Sequence, residues 1–287
     1  MHRIKLGFLA AAQILASMVF PASAWSGTVR DDVPDSDYVA LGNEAAFAAV
    51  GAFSSGVWNG SGILIDPDWV LTAAHLIGGS SATFTLNGTA YTSTQIFIEP
   101  GASVSSGTDL ALVHLSSSLT AIPPAMLYTG PSIFGQTATF VGYGFTGTGL
   151  TGYQISFPTQ KRGLQDVVDV NNPNLGNTNV VFGATFESPA DGALPLEGCV
   201  AYGDSGGGAF AMDGSQYYLA GVISFVAATD GSANSSYSDI SGFDSIAPAM
   251  PWITSVVPEP STFTLLAMSA VALVLRRKCR FPKTQRF

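Results

Sequence analysis

The sequence predicts an all-β protein, and three observations support that fold class. The central region is rich in glycine, serine, threonine and aromatic residues. Short apolar stretches recur along it about every ten residues, a spacing typical of barrels and sandwiches. Several of these stretches are separated by turn signals, of which Asn87-Gly88 is the strongest. The region 25–256 is long enough for one large β domain or two small barrels.

Residues 1–24 have the pattern of a signal peptide. A basic head with Arg3 and Lys5 precedes an apolar run over 6–20, and Ala22-Ser-Ala24 offers the small residues of a signal-peptidase site. A buried N-terminal helix is the alternative interpretation. The pattern predicts an exported protein that signal peptidase processes.

The predicted strands follow one another as hairpins and buried runs. They lie at 63–65 and 69–71 around a turn at 66–68, at 82–86 and 89–92, at 111–115, at 137–143, and at 208–211 and 217–223 around Asp213-Gly214. The Pro- and Gly-bearing segment 122–135 predicts a crossing between two halves of the domain.

Three short motifs carry chemistry, and they occur in one order. They are Leu71-Thr-Ala-Ala-His75, Thr108-Asp109-Leu-Ala-Leu112 and Gly203-Asp204-Ser205-Gly206-Gly207. Each motif alone is a weak signal, since turns and strands of this kind are common. Together they supply an imidazole, a carboxylate and a serine in a glycine-rich loop, which is the equipment for acyl transfer through a serine.

The chemistry assigns a role to each residue. Ser205 is the candidate nucleophile, His75 the base that takes its proton, and Asp109 the carboxylate that orients the imidazole. The backbone N–H groups of Gly203 and Ser205 are expected to bind the developing oxyanion. The other histidine of region 25–256, His114, lies in a predicted strand, so we expect it to be structural.

In these motifs and their order the chain resembles the trypsin-like (chymotrypsin-fold) serine proteases, from about residue 30 to 256. The resemblance implies two six-stranded Greek-key β-barrels, the first at about 30–125 and the second at about 126–256, with the active site in the cleft between them. It implies a serine endopeptidase that acts on polypeptides and needs no cofactor, and the sequence shows no metal-ligand cluster. It also implies a C-terminal helix, which Pro248 and Pro251 should leave short or broken.

The resemblance also implies substrate-binding positions. Ser224 matches the serine that supports the catalytic aspartate, and Phe225, Val226 and Gly242 match residues that line the primary pocket. Cys199, six residues before the nucleophile, stands at the pocket floor where trypsin has an aspartate. Small or apolar substrate side chains are therefore expected, rather than Arg or Lys.

Two features depart from the family pattern. Relatives carry a disulfide from the residue after the catalytic histidine, but Leu76 stands there, and the cysteines are Cys199 and Cys279, whose bonding to each other is implausible. Relatives are also cut to an Ile-Val-Gly-Gly terminus that pairs with the acid here numbered Asp204. No such segment occurs, so either Asp204 has another partner or the enzyme assembles without proteolysis; cleavage at Arg30 would not expose the family's terminus.

The C-terminal region 257–280 resembles the PEP-CTERM sorting signal of Gram-negative bacteria. Pro258-Glu259-Pro260 precedes an apolar segment at 261–275 and the basic stretch 276–280, in which Cys279 is the one uncharged residue, and 281–287 would be a basic cytoplasmic tail. The resemblance implies processing by an exosortase, transient membrane association through a transmembrane segment, and a final location in the periplasm, at the cell surface or in the matrix. An ordinary single-span anchor is the alternative.

Charge narrows the function further. Region 25–256 keeps three cationic side chains, those of Arg30, Lys161 and Arg162, against 19 acids, so its net charge is near −16. This excludes nucleic-acid binding as an expected function. Two alternatives to a secreted endopeptidase remain: a catalytically weak or inactive surface or matrix binding protein with the same fold, and an esterase that uses the same triad.

Overall fold

The computed structural model describes residues 27–104, 108–155, 159–171 and 181–258. The predicted signal peptide and the segment from 259 onward lie outside the described residues. The strands are β1 (Gly27–Val29), β2 (Val50–Ser54), β3 (Asn59–Asp66), β4 (Trp69–Ala73), β5 (Thr83–Leu86), β6 (Thr89–Ile98), β7 (Leu110–Leu115), β8 (Thr137–Gly142), β9 (Thr146–Thr148), β10 (Gly152–Gln154), β11 (Arg162–Val167), β12 (Val170–Asn171), β13 (Val181–Thr185), β14 (Gly198–Cys199), β15 (Gly208–Asp213), β16 (Gln216–Ala227) and β17 (Ile240–Ser245). The helices are α1 (Asp35–Gly42) and α2 (Ile246–Val256).

The first half is a closed six-stranded barrel in the order β2-β3-β4-β7-β6-β5. The predicted hairpins β3–β4 and β5–β6 both form here. Asn87 and Gly88 adopt φ of 50° and 77°, as a type I′ turn requires, and this twist matches that of the flanking strands. The closed barrel holds β4 and β7, the strands next to two of the three motifs, in one rigid wall.

The second half is a seven-stranded sheet in the order β11-β8-β15-β16-β17-β13-β12, which curls into a half-barrel. The predicted β15–β16 hairpin turns at Gly214, whose φ is 62°. A smaller sheet has the order β10-β9-β1-β14. The expected all-β architecture of two barrel-like halves is therefore confirmed, with the second half open rather than closed.

The N-terminal segment packs against the second half. Strand β1 pairs with β9 and β14, and α1 contacts β11. Tyr38 of α1 is fully buried, and its hydroxyl donates to the Glu197 carbonyl at 2.9 Å. The strands of the closed barrel lie between Val50 and Leu115, inside the predicted first unit of about 30–125.

The two halves share a core. The Phe47 ring lies 5.1 Å from that of Phe210 and 4.8 Å from that of Tyr217. In the crossing segment, Ala125 donates its N–H to Leu64 of the first half, and Leu127 bridges to Leu219 of the second. These contacts fix the cleft between the halves.

The expectation of a short or broken C-terminal helix was wrong. Helix α2 runs without interruption over 11 residues. Pro248 lies in its first turn, where a backbone N–H would have no partner within the helix. Pro251 lies inside the helix, and burial of Ile246, Ala249 and Ile253 offsets its lost hydrogen bond. No helix among the described residues is long and apolar enough to cross a membrane, and the predicted segment 261–275 lies outside them.

Candidate active site

Strand pairing brings the first two motifs together. Strands β4 and β7 are antiparallel neighbours, with Ala73 opposite Leu110. His75 therefore follows the end of β4 at the point where Asp109 precedes the start of β7. The Ala74 N–H donates to the Asp109 carbonyl at 3.1 Å and closes this corner. His75 and Asp109, which lie 34 residues apart in the sequence, are therefore in direct contact.

The Asp109 carboxylate is fully buried and accepts three hydrogen bonds. One oxygen bonds the His75 ring at Nδ1, at 2.5 Å, and accepts from the Ser224 hydroxyl at 2.6 Å. The other oxygen accepts from the His75 backbone N–H at 2.8 Å. With Nδ1 bound to a carboxylate, Nε2 is the ring nitrogen left to exchange a proton in the cleft.

A second buried carboxylate supports Asp109 from behind. Asp244 of β17 is 1% exposed, and its Oδ2 accepts the backbone N–H of Asp109 at 2.8 Å. Burial, with a contribution from the charge of Asp109, raises the pKa of Asp244 to about 7. Burial also raises the pKa of Glu99, whose charge acts on Asp244, to about 7. Sequence reasoning missed Asp244 because an acid in a predicted C-terminal strand has no motif around it.

The loop between β14 and β15, which carries Ser205, is hydrogen-bonded to the first barrel through Ser61. The Ser61 N–H donates to the Ser205 carbonyl at 2.8 Å, and the Ser61 hydroxyl donates to the Gly203 carbonyl at 3.1 Å. Gly206 has φ of 79°, and a Cβ there would lie 2.2 Å from the Thr72 hydroxyl. A glycine is thus required where the loop meets the barrel. Ser61 was also missed, since a lone serine in a strand carries no signal.

Ser205 and His75 line the same cavity, one from each half of the molecule. His75 is reachable, with 32% of its side chain exposed. Among the described residues the Ser205 hydroxyl makes no hydrogen bond to the imidazole. Such catalytic contacts commonly tighten only when substrate binds.

The carbonyl groups of the residues before Gly203 and Ser205 both accept backbone hydrogen bonds. The Tyr202 carbonyl accepts from the Phe145 N–H at 2.7 Å, and the Asp204 carbonyl accepts from the Gly207 N–H at 2.8 Å. In a trans peptide the C=O and N–H point in opposite directions. The N–H groups of Gly203 and Ser205 are consequently directed away from these partners, and neither donates a hydrogen bond within the described part of the chain.

The Asp204 carboxylate braces this loop from inside. It is 2% exposed, and its two oxygens accept from the backbone N–H groups of Gly144 and Ala201, each at 2.8 Å. A Cβ at Gly142 would lie 2.4 Å from Asp204 Oδ1. The glycines at 142 and 144 therefore make room for the carboxylate, and its backbone donors belong to the second half.

The cavity that His75 and Ser205 line measures about 240 Å³. Its lining residues are His75, Tyr153, Val200, Ala201, Tyr202, Ser205, Ile223, Ser224, Phe225, Val226 and Ala233. Among the predicted pocket residues, Cys199 and Gly242 lie behind this lining. Cys199 is fully buried, which raises the pKa of its thiol, and the Phe225 ring packs over Gly242, where a Cβ would lie 2.3 Å from it.

Leu76, the residue after His75, packs closely beside the loop that carries Ser205. Leu76 is 3% exposed, and its Cδ1 lies 2.5 Å from the Cβ position that any side chain at Gly60 would need. The same added Cβ would lie 2.8 Å from the Ser205 carbonyl oxygen. The leucine methyls therefore fill this space beside Ser205 without a covalent bond.

Comparisons with known proteins identify the family of this chain. The trypsin family model matches residues 40–253, and the PEP-CTERM protein-sorting motif matches residues 256–278. The complement C1s subcomponent of Sus scrofa is 31% identical over 202 residues, which cover 57% of this chain and 28% of that protein. This chain therefore matches only about a quarter of the relative's length. The sorting motif indicates an exported protein of Gram-negative bacteria. Three-quarters of the chain lies in one family match, and the chain belongs to the trypsin family of serine proteases.

Proposed function

We propose that the protein is a secreted serine endopeptidase that cleaves peptide bonds through an acyl-enzyme. The observation that carries the proposal is the buried Asp109 carboxylate bonded to the His75 ring, in a cavity that Ser205 shares. An imidazole oriented in this way can accept a proton on Nε2. The family membership agrees with this chemistry.

In the first half of the reaction, the Ser205 Oγ attacks the substrate carbonyl carbon as its proton passes to His75 Nε2. Asp109 stabilises the imidazolium that forms. The carbonyl oxygen takes the negative charge and binds the N–H groups of Gly203 and Ser205, each worth about 2.7–4 kcal/mol of transition-state stabilisation. The C–N bond then breaks, and the departing amine takes the proton from His75.

In the second half, water repeats these steps on the acyl-enzyme. His75 removes a proton from the water as its oxygen attacks the acyl carbon. The same two N–H groups bind the oxyanion, and the Ser205 oxygen leaves with the proton that His75 returns. The product acid departs, and the enzyme regains its starting protonation.

The cavity favours a small or apolar side chain before the cleaved bond. Val200, Ile223, Phe225 and Val226 supply apolar walls, and its described lining includes no acid. A cationic side chain would lose hydration there without gaining a counter-charge. A volume of about 240 Å³ suits a side chain of modest size.

Hydrolysis by the full chain of a peptide library varied at the residue before the cleaved bond tests both parts of the proposal. We expect cleavage after small or apolar residues, and a loss of about 10⁶ in kcat for Ser205→Ala. Ser215→Ala, in an exposed turn of the same half, is the matched control and should retain full activity. Cleavage confined to Arg and Lys would contradict the proposed specificity.

An inactive binding protein with the same fold would give a different result. Folded protein that retains a polymer ligand but turns over neither peptide nor ester would refute the endopeptidase proposal. Turnover of simple esters without any peptide cleavage would instead support the esterase alternative.

A further inference from the structure

Three carboxylates converge in the second half of the molecule, away from the triad. They belong to Asp166 of β11, to Glu187 after β13 and to Glu197 just before β14, and one oxygen of each lies within 4.8 Å of the others. Their spacing in the sequence matches no metal-ligand motif, so only the fold reveals the group. Glu197 stands close to Val200 and Ala201, which line the substrate cavity.

Asp166 provides a second and separate observation. Its side chain is fully buried, and Oδ1 accepts the Val167 N–H at 2.7 Å. Its Oδ2 is also buried, and no described residue donates a hydrogen bond to it. A buried carboxylate oxygen without a donor is costly, so it requires a proton or a cation.

The surrounding charges are all of one sign. Burial, together with the charges of Glu197, Glu187 and Asp169, raises the pKa of Asp166 well above its usual range. Each cation in the described part of the chain has another partner. The Arg30 guanidinium pairs with Asp32, that of Arg162 pairs with Asp35, and Lys161 Nζ donates to the Phe47 carbonyl.

We propose that Asp166, Glu187 and Glu197 form a binding site for a hard divalent cation, with Ca²⁺ as its ligand. Carboxylate oxygens are the donors that Ca²⁺ prefers, and two oxygens bound to one Ca²⁺ can lie up to about 4.6–5.2 Å apart. The separations in this group fit that span. Bound Ca²⁺ would tie β11 to the segments on either side of the loop at 187–197, and so steady one wall of the substrate cavity.

Thermal unfolding of the full chain, stripped with EDTA and then titrated with CaCl₂, tests this inference independently of peptidase activity. At Ca²⁺ concentrations about a hundredfold above Kd, the expected rise in Tm is roughly 5–10 °C. Asp166→Asn and Glu197→Gln should abolish the rise. Asp213→Asn, at an exposed position of β15, should leave the Ca²⁺ response unchanged.

Two results would overturn the inference. A wild-type Tm that does not change with Ca²⁺ but rises on acidification would show that the three carboxyl groups share protons and bind no metal. An undiminished Ca²⁺ response in both variants would place the cation elsewhere. If either variant fails to fold, calorimetric titration of Glu187→Gln, a half-buried position, replaces it, and Ca²⁺ binding equal to wild type would again refute the site.

Discussion

The proposed catalytic centre and the proposed substrate cavity share a cleft but are built differently. The centre consists of polar groups, all buried except His75, that hydrogen-bond one another across both halves, from Asp244 through Asp109 to His75, with Ser224 alongside. The cavity wall consists mainly of apolar side chains that fill space, such as the Phe225 ring over Gly242. Substitutions in the first region should therefore change kcat, and those in the second should change which substrate is preferred.

Among substitutions of residues that act through another group, the largest effect is expected for Asp109→Asn. The amide keeps the size of the side chain but cannot hold the same ring tautomer, so kcat should fall by about 10⁴. KM for a peptide ester should change little, since the cavity wall is intact. Steady-state kinetics measure this loss, with Asp213→Asn as the control. A fall in kcat of less than tenfold would contradict the distinction between the two regions.

Asp244 is expected to have a smaller effect, because it acts through Asp109. Asp244→Ala removes the acceptor for the Asp109 N–H, and we expect kcat to fall on the order of tenfold with KM unchanged, since about 1–3 kcal/mol attaches to an unsatisfied buried donor. Asp244→Asn retains an acceptor oxygen and should recover most of the activity. Equal kinetics for the alanine and asparagine variants would contradict a positioning role.

Substitutions in the cavity wall should change which residue is preferred before the cleaved bond. Phe225→Ala opens space over Gly242, so substrates with larger apolar residues before the cleaved bond should gain. A change of about tenfold in the ratio of kcat/KM for Leu over Ala substrates is expected, since one methylene in an apolar pocket is worth about 1–3 kcal/mol. A uniform loss across all substrates would instead assign Phe225 to the catalytic centre.

The smallest effect concerns pH and stability. Burial raises the pKa of Asp244 and of Glu99 to about 7, above their unfolded values. The folded state therefore holds these protons more tightly, and their contribution to stability is complete below about pH 4 and lost as pH rises through 7. In urea unfolding, the free energy of unfolding should fall less between pH 5 and pH 8 for Asp244→Asn than for wild type. Parallel curves would show that Asp244 does not titrate in this range.

Sequence patterns predicted those parts of the fold and site whose causes are local. Neighbouring residues determine the Asn87-Gly88 turn, the strand after Asp109 and the three motifs that resemble those of the family. Strand pairing then brings the motifs together. Ser61 and Asp244 could not be found in this way, because their roles arise only from packing between segments 142 and 135 residues distant. The uninterrupted α2 shows the same limit, since tertiary burial overrides the local effect of proline.

The most direct test of the proposed nucleophile is labelling with a fluorophosphonate probe, followed by mass spectrometry of the modified peptide. We expect a single adduct on Ser205 in folded wild-type protein, strong loss of labelling in His75→Ala, and full labelling in His114→Ala. Absence of an adduct on Ser205 in folded wild-type protein, or labelling that does not depend on His75, would contradict the account.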